Sequence, residues 1–312
     1  MIRSSRRALA ARAAVFVAVA LSGVGTSAGA QAPERTAVWS SAPDAPLVAD
    51  SLYGRSGKLH VRIINKSRPI AIPVLERMFG EDIRGNPGIY AVRDSDERRP
   101  LSLISLLPFA TKEGGKVGSY RLGFWPAERR TALSGAYENP DGFITVTPEN
   151  KDMKVSEHFH LRDFVTHDQP TIWPKYVVLR EELLDKLELV IAELERTGHP
   201  VRHVRVTSGF RTPAYNLRGV GKKGGRARDS RHQFGDAADI MIDNNRDGRM
   251  DDLNRDGKSN SKDVRVLLDA VDRIERTYPE LVGGVGIYRA TRQHGPFAHI
   301  DVRGHRARWN RS

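Results

Sequence analysis

The chain has 312 residues, 39% of them hydrophobic and 28% charged. That balance supports a folded protein and argues against wholesale disorder. There is no cysteine, which excludes disulfides, thiolate metal sites and cysteine nucleophiles; any metal must be held by His, Asp, Glu or Asn. The formal charge of +12 favours an anionic partner: nucleic acid, acidic membrane or acidic polymer.

Residues 1–30 carry Arg3, Arg6, Arg7 and Arg12, then a short apolar stretch from Ala13 to Val24, then Ala28-Gly29-Ala30. A basic start, an apolar core and a small-x-small end make a secretory signal peptide. The apolar stretch is short of the roughly 20 residues that a spanning helix needs. The mature chain is therefore expected to be secreted or periplasmic, with no membrane span. Removing the segment takes away four arginines and no acids, so +8 of the +12 remains. Export turns the expected partner away from nucleic acid and toward a cell-envelope polymer.

Residues 31–50 are rich in Ala, Pro and Ser and read as a flexible leader. Over 51–150 the pattern predicts a small β-rich domain of unknown role. Its strands are LHVRIIN (59–65), IAIPVL (70–75), SLISLL (102–107), SYRLGFW (119–125) and GFITVTP (142–148), bounded by Gly, Pro and Asn. No residue set in it looks catalytic.

From residue 151 the texture changes to α+β. Leu183, Leu187, Val190, Ile191 and Leu194 share one helix face, and Gly198 and Pro200 end that helix. HVRVTSGF (203–210) and AADIMID (237–243) read as buried strands. Asp263 to Tyr278 reads as a second helix, and GGVGIY (283–288) and FAHIDVR (297–303) as closing strands. The basic stretch from Arg218 to Arg231 reads as a solvated loop that could attract an anion.

Three segments in this half carry chemistry: Ser208 to Pro213, Ser230 to Asp239, and Phe297 to Arg303. In the second, His232 is loop-borne and Asp239 opens a strand seven residues later. Gly235 and the alanines between allow a tight path, so the two can converge on one ion. A His-plus-carboxylate set with a third ligand suits catalytic zinc. In the third, His299 and Asp301 are two apart on a strand and share a face. One can ligate while the other orients a ligand or handles a proton. Each segment taken alone also reads as an ordinary His–Asp pair.

Together these segments resemble the zinc D-Ala-D-Ala carboxypeptidase family, with its hedgehog-like metallopeptidase fold of an antiparallel sheet and flanking helices. The nearest likeness is to periplasmic murein endopeptidases whose third motif is His-x-Asp. The likeness runs over about residues 155–312. It rests on Ser-Gly-Phe-Arg (208–211), Ser-Arg-His-x-x-Gly-x-Ala-Ala-Asp (230–239), Gly-Val-Gly-x-Tyr (284–288) and His-x-Asp-Val (299–302). The resemblance implies His232, Asp239 and His299 as zinc ligands. It also implies Arg211 as the group for a substrate carboxylate or a developing oxyanion, and peptidoglycan stem peptides as substrate. Many members place the general base three residues before the last ligand, but here that position is Pro296. Asp301 is the expected base and His294, on a Gly-Pro loop, the substitute; an exchange of roles between His299 and Asp301 stays open. The competing readings are a catalytically inactive zinc-fold module that binds cell wall and a calcium-dependent scaffold or adhesion protein.

A second metal signal lies in the insertion at 243–263. Asp252, Asn254 and Asp256 take positions 1, 3 and 5 of a calcium loop, with Gly257 at 6, the Lys258 carbonyl at 7, Asn260 at 9 and Asp263 at 12. An overlapping loop starts at Asp243, with Asn245, Asp247 and Gly248 in register. A calcium ion here is expected to be structural.

Overall fold

The computed structural model describes residues 37–39, 53–64, 85–94, 100–129, 137–221, 225–292 and 294–311. The expected signal peptide, the strand at 70–75, and Lys222 and Lys223 of the basic loop lie outside them, as does all of the leader except 37–39.

The strands are β1 (Ala37–Trp39), β2 (Val61–Ile64), β3 (Gly88–Asp94), β4 (Leu101–Ser105), β5 (Leu107–Pro108), β6 (Lys116–Val117), β7 (Tyr120–Arg121), β8 (Gly142–Val146), β9 (Lys175–Val177), β10 (Val204–Ser208), β11 (Ala237–Ile242), β12 (Gly284–Tyr288), β13 (Phe297–Asp301) and β14 (Ala307–Arg311). The α-helices are α1 (Glu181–Arg196), α2 (Pro213–Leu217) and α3 (Ser261–Thr277). The sheet that matters for function has five strands in the order β10-β11-β13-β12-β14. Its first three pairings are antiparallel, as expected, but β14 joins the edge parallel to β12.

Both long helices form where the apolar residues recur at helical spacing. The helix α1 buries Leu183, Leu187, Val190, Ile191 and Leu194, with Glu181 and Glu182 in its first turn, where the helix dipole favours acids. The helix α3 opens on a reciprocal cap: the Asn260 side chain accepts from the Lys262 amide at 2.8 Å, and Asp263 accepts from the Asn260 amide at 2.7 Å. The two helices pack on each other, and α3 packs on β12 and β13.

The described parts of 51–150 do not stand apart from the rest. One hydrophobic core takes in Leu59, Ile104, Trp125 and Phe143 along with Leu187, Ile240, Val271 and Ile300. The strand β8 pairs with β9 across the expected boundary. The Trp125 indole donates to the Gln233 carbonyl at 2.8 Å, and the Asp185 carboxylate of α1 accepts from the Arg55 and Ser56 amides at 2.7 and 2.8 Å. These residues buttress the sheet. The expected strand at 119–125 shrinks to β7, because Gly123 turns left-handed (φ 87°) against the backbone of Ala214 and delivers Trp125 into the core.

Candidate metal centre

One row of residues crosses all five strands of the main sheet. Ser208 on β10 faces Asp239 on β11, Asp239 faces His299 on β13, His299 faces Gly286 on β12, and Gly286 faces Trp309 on β14. Side chains alternate along a strand, so the in-between residues Ala238, Ile240, Ala298 and Ile300 enter the core while this row makes a polar surface.

His232 reaches the row from a short 3₁₀ turn, Arg231–Phe234. Gly235 closes that turn at φ 66°, where a Cβ would also run into the Val178 carbonyl. Arg231 and Asp236 form a buried ion pair that brackets the turn. The His232 Nδ1–H donates to the Gly209 carbonyl at 2.7 Å, which leaves the Nε2 lone pair facing the row. The His232 Nε2 lies 3.2 Å from Asp239 Oδ1 and 3.1 Å from His299 Nδ1, and the last two are 2.9 Å apart. Tetrahedral zinc with bonds of roughly 2.0–2.1 Å sets its ligand atoms about 3.3 Å apart. The triangle fits that ion closely, and both nitrogen donors are oriented by bonds on their other side. Among the described residues this is the group of His, Asp and Glu whose ligand atoms gather at metal-binding distances.

Charge reinforces the set. Burial, then the Arg211 guanidinium, pushes the His232 pKa down to about 4, which keeps its imidazole neutral as a ligand must be. Burial opposes ionisation of Asp239, but the charged surroundings, the Arg211 guanidinium among them, hold that carboxyl well below the usual range. Arg211 bonds Asp239 Oδ2 and, through Nε, Ser208 Oγ at 2.7 Å, so it braces a ligand as well as lining the cleft.

The structure sets Asp301, the expected base, back from the cleft. The residue does share a face with His299, but it sits behind it. The His299 Nε2–H donates to Asp301 Oδ2 at 3.0 Å, and the Gly284 amide donates to Oδ1 at 2.7 Å. The Arg303 amide donates at 3.1 Å, and the Arg303 guanidinium spans both oxygens. Asp301 is 0% exposed and fully committed, on the side of His299 away from the triangle. From there it holds the orientation of the His299 ring. In this geometry His299 Nδ1, and not Asp301, faces the triangle. Below it, the buried Lys186 ammonium of α1 donates to the Asp301 carbonyl and to Glu275, each at 2.7 Å.

The triangle floors a cleft of about 840 Å³ whose walls include Arg205, Arg211, Tyr215, Arg226, His294 and Tyr288. His294 donates its Nδ1–H to the Gly295 carbonyl at 2.8 Å, so its Nε2 keeps a lone pair. Sequence reasoning carried Gly286 only within the Gly-Val-Gly-x-Tyr motif and gave Trp309 no place at the site. The indole lies over the place where a Cβ of residue 286 would stand, and its ring centre is 5.2 Å from that of His299. The Gly-Val-Gly run and the alternation of ARWNR were the available signals.

At 252–263 the expected calcium oxygens serve the loop itself. Asp252 accepts from the Asp256 and Gly257 amides at 3.0 and 2.7 Å, and Asn254 accepts from the Asp256 amide at 2.9 Å. Asp256 accepts from the Lys258 amide at 3.1 Å and the Lys262 ammonium at 3.2 Å; Asn260 and Asp263 form the helix cap.

Two histidines and a carboxylate, converging at the floor of a polar cleft, form a set that could hold a metal ion such as zinc. The family model for Peptidase M15 matches residues 160–266, about a third of the chain. The match takes in Arg211, His232 and Asp239 and stops short of His299. Peptidases of that family are zinc-dependent, in accord with the donor set. No curated protein and no solved structure matches the chain. No helix among the described residues is long and apolar enough to cross a membrane.

Proposed function

We propose that this chain is an exported zinc peptidase of the hedgehog-like metallopeptidase fold, and that it hydrolyses peptide bonds in peptidoglycan stem peptides or their cross-links. The observation that carries this is the triangle of His232 Nε2, Asp239 Oδ1 and His299 Nδ1, with all three edges between 2.9 and 3.2 Å. The Peptidase M15 match supports the reaction class. The sequence supports the substrate through the Ser-Gly-Phe-Arg and His-x-Asp motifs, the export signal and the basic charge. Calcium belongs to this reading as a structural ion of the 243–263 insertion, outside the reaction.

When bound at the triangle, zinc supplies a water of lowered pKa and a Lewis acid for the scissile carbonyl. The protein's own groups do the rest. Asp301 fixes the His299 ring, and Gly209 fixes His232. His294 Nε2 takes the proton from the attacking water and returns it to the leaving amine. Arg211 offers its guanidinium to a substrate carboxylate or to charge developing on the carbonyl oxygen.

The test is digestion of purified cross-linked muropeptides, with products identified by mass. New amino and carboxyl termini that appear with zinc and vanish with a chelator are expected. Binding of muropeptides without any cleavage would favour an inactive wall-binding module instead.

A further inference from the structure

The loop that leaves β11 carries a feature outside the reaction, and the inference from it rests on the structural calcium of the proposed reading and narrows that ion to one loop. Asp243 is the first residue past the strand, held in the β10–β11 ladder by its amide bond to the His203 carbonyl (3.1 Å) and by the His203 Nδ1–H on its own carbonyl (2.9 Å). Its side chain is 1% exposed. One carboxylate oxygen, Oδ2, accepts from the Gly248 amide at 3.1 Å, so the group points into its own loop. The other, Oδ1, is buried with no hydrogen-bond partner. A buried, unpaired carboxylate oxygen is costly and calls for a missing cation or donor.

The surroundings are rich in oxygen donors, although Asn245 Nδ2 donates to Asp247 Oδ2 at 3.1 Å. Asn245 Oδ1 accepts from the Asp247 amide at 3.2 Å, and Asp247 Oδ1 accepts from the Arg249 amide at 2.8 Å, which folds both side chains onto the loop. Arg246 and Gly248 are left-handed, at φ 61° and 82°. The next loop repeats this turn at Arg255 and Gly257, φ 60° and 79°, but there Lys262 already sits on Asp256. Asp251 closes the first loop by accepting from the Asn244 amide at 3.0 Å. All donors are carboxylate, amide or carbonyl oxygens, a hard set that suits calcium rather than zinc.

We propose that Asp243, Asn245, Asp247, the carbonyl of Arg249 and Asp251 bind a calcium ion. The three carboxylates do not all gather within 4.8 Å of one another. Calcium, with six to eight oxygens at about 2.3–2.6 Å, does not require it, since ligands on opposite sides of its shell stand about that far apart. The loop forms part of the cleft wall through Gly248. Its Arg249 and Met250 backbone lies 3.6 and 3.7 Å from where a Cβ of Gly295 would stand, beside His294. The ion thus anchors the segment against which the His294 loop rests.

The test does not depend on peptidase activity. Full-length protein is stripped with chelator, given one equivalent of zinc, and titrated with calcium chloride by calorimetry and thermal melting. Saturable binding is expected, with melting raised by roughly 5 °C at about 100 times Kd. Asp243→Asn should abolish both signals. The exposed Asp247→Ala should weaken binding at least tenfold while its calcium-free melting matches the wild type. Asp256→Ala, in the second loop, should leave them in place. Absence of heat and of any shift in the wild type overturns the proposal. So does a calcium response that survives in Asp243→Asn and disappears in Asp256→Ala, since the ion then sits in the second loop.

Discussion

His299 is where the chemistry is decided, because its two nitrogens face different worlds. Nδ1 meets Asp239 and His232, and Nε2 meets Asp301. Two substitutions separate the roles that follow. Asp301→Asn removes the charge that orients the ring, and zinc affinity should fall about 10–100-fold, the usual cost of losing such a partner. His294→Gln should keep zinc and lose roughly 10²–10⁴-fold in kcat. Metal competition assays and steady-state rates on both variants check this; an Asp301→Asn protein that holds zinc normally and loses only rate would restore Asp301 as the base. The sequence made His232, Asp239, His299 and Asp301 legible as a group through spacing and strand alternation. It could not say which nitrogen faces which carboxylate. That depends on Gly284 and Arg303 closing around Asp301, and Gly284 comes from a neighbouring strand.

Elements bring those residues together through register, and the row from Ser208 to Trp309 has one position that tolerates no side chain. Gly286→Ala would put a methyl inside the Trp309 indole. The indole must leave His299, at a cost of about 1–3 kcal/mol, as for other overpacked sites. A lower melting temperature with a shifted tryptophan emission is expected; unchanged melting would mean that β14 does not pack there. The helices α1 and α3 were legible because their apolar residues recur at a helical period over four turns. The strand β14 was not, because five residues paired only to a sheet edge carry little pattern of their own. The strand β1 and the short helix α2 escaped notice for the same reason, brevity, at three and five residues.

At the scale of the whole molecule, one core takes in buried residues from both sides of the boundary expected near residue 150. Short apolar runs look like a separate β domain in a linear reading. Their partners, β9, α1 and the Gln233 carbonyl, lie far along the chain. Ion pairs tie the helical layer as well. Glu193 of α1 bonds Arg196 and reaches Arg273 of α3, and those bonds lower its pKa from 4.5 to about 2 against the opposing effect of burial. A depressed carboxyl contributes stability that is present above its unfolded pKa and lost as pH falls through the folded one. Glu193→Gln should therefore cost on the order of 1 kcal/mol at neutral pH. The gap from wild type should close between pH 4.5 and about 2. Urea melts across that window check it, and a gap that persists at the acid end would contradict the pairing.

The central claim is that one zinc ion sits on His232, Asp239 and His299, and elemental analysis of the purified chain beside its His232→Ala variant tests it without any assumption about substrate. The account predicts one zinc per wild-type chain and close to none in the variant. A wild-type chain that takes up no zinc, or a variant that holds as much as the wild type, would contradict it.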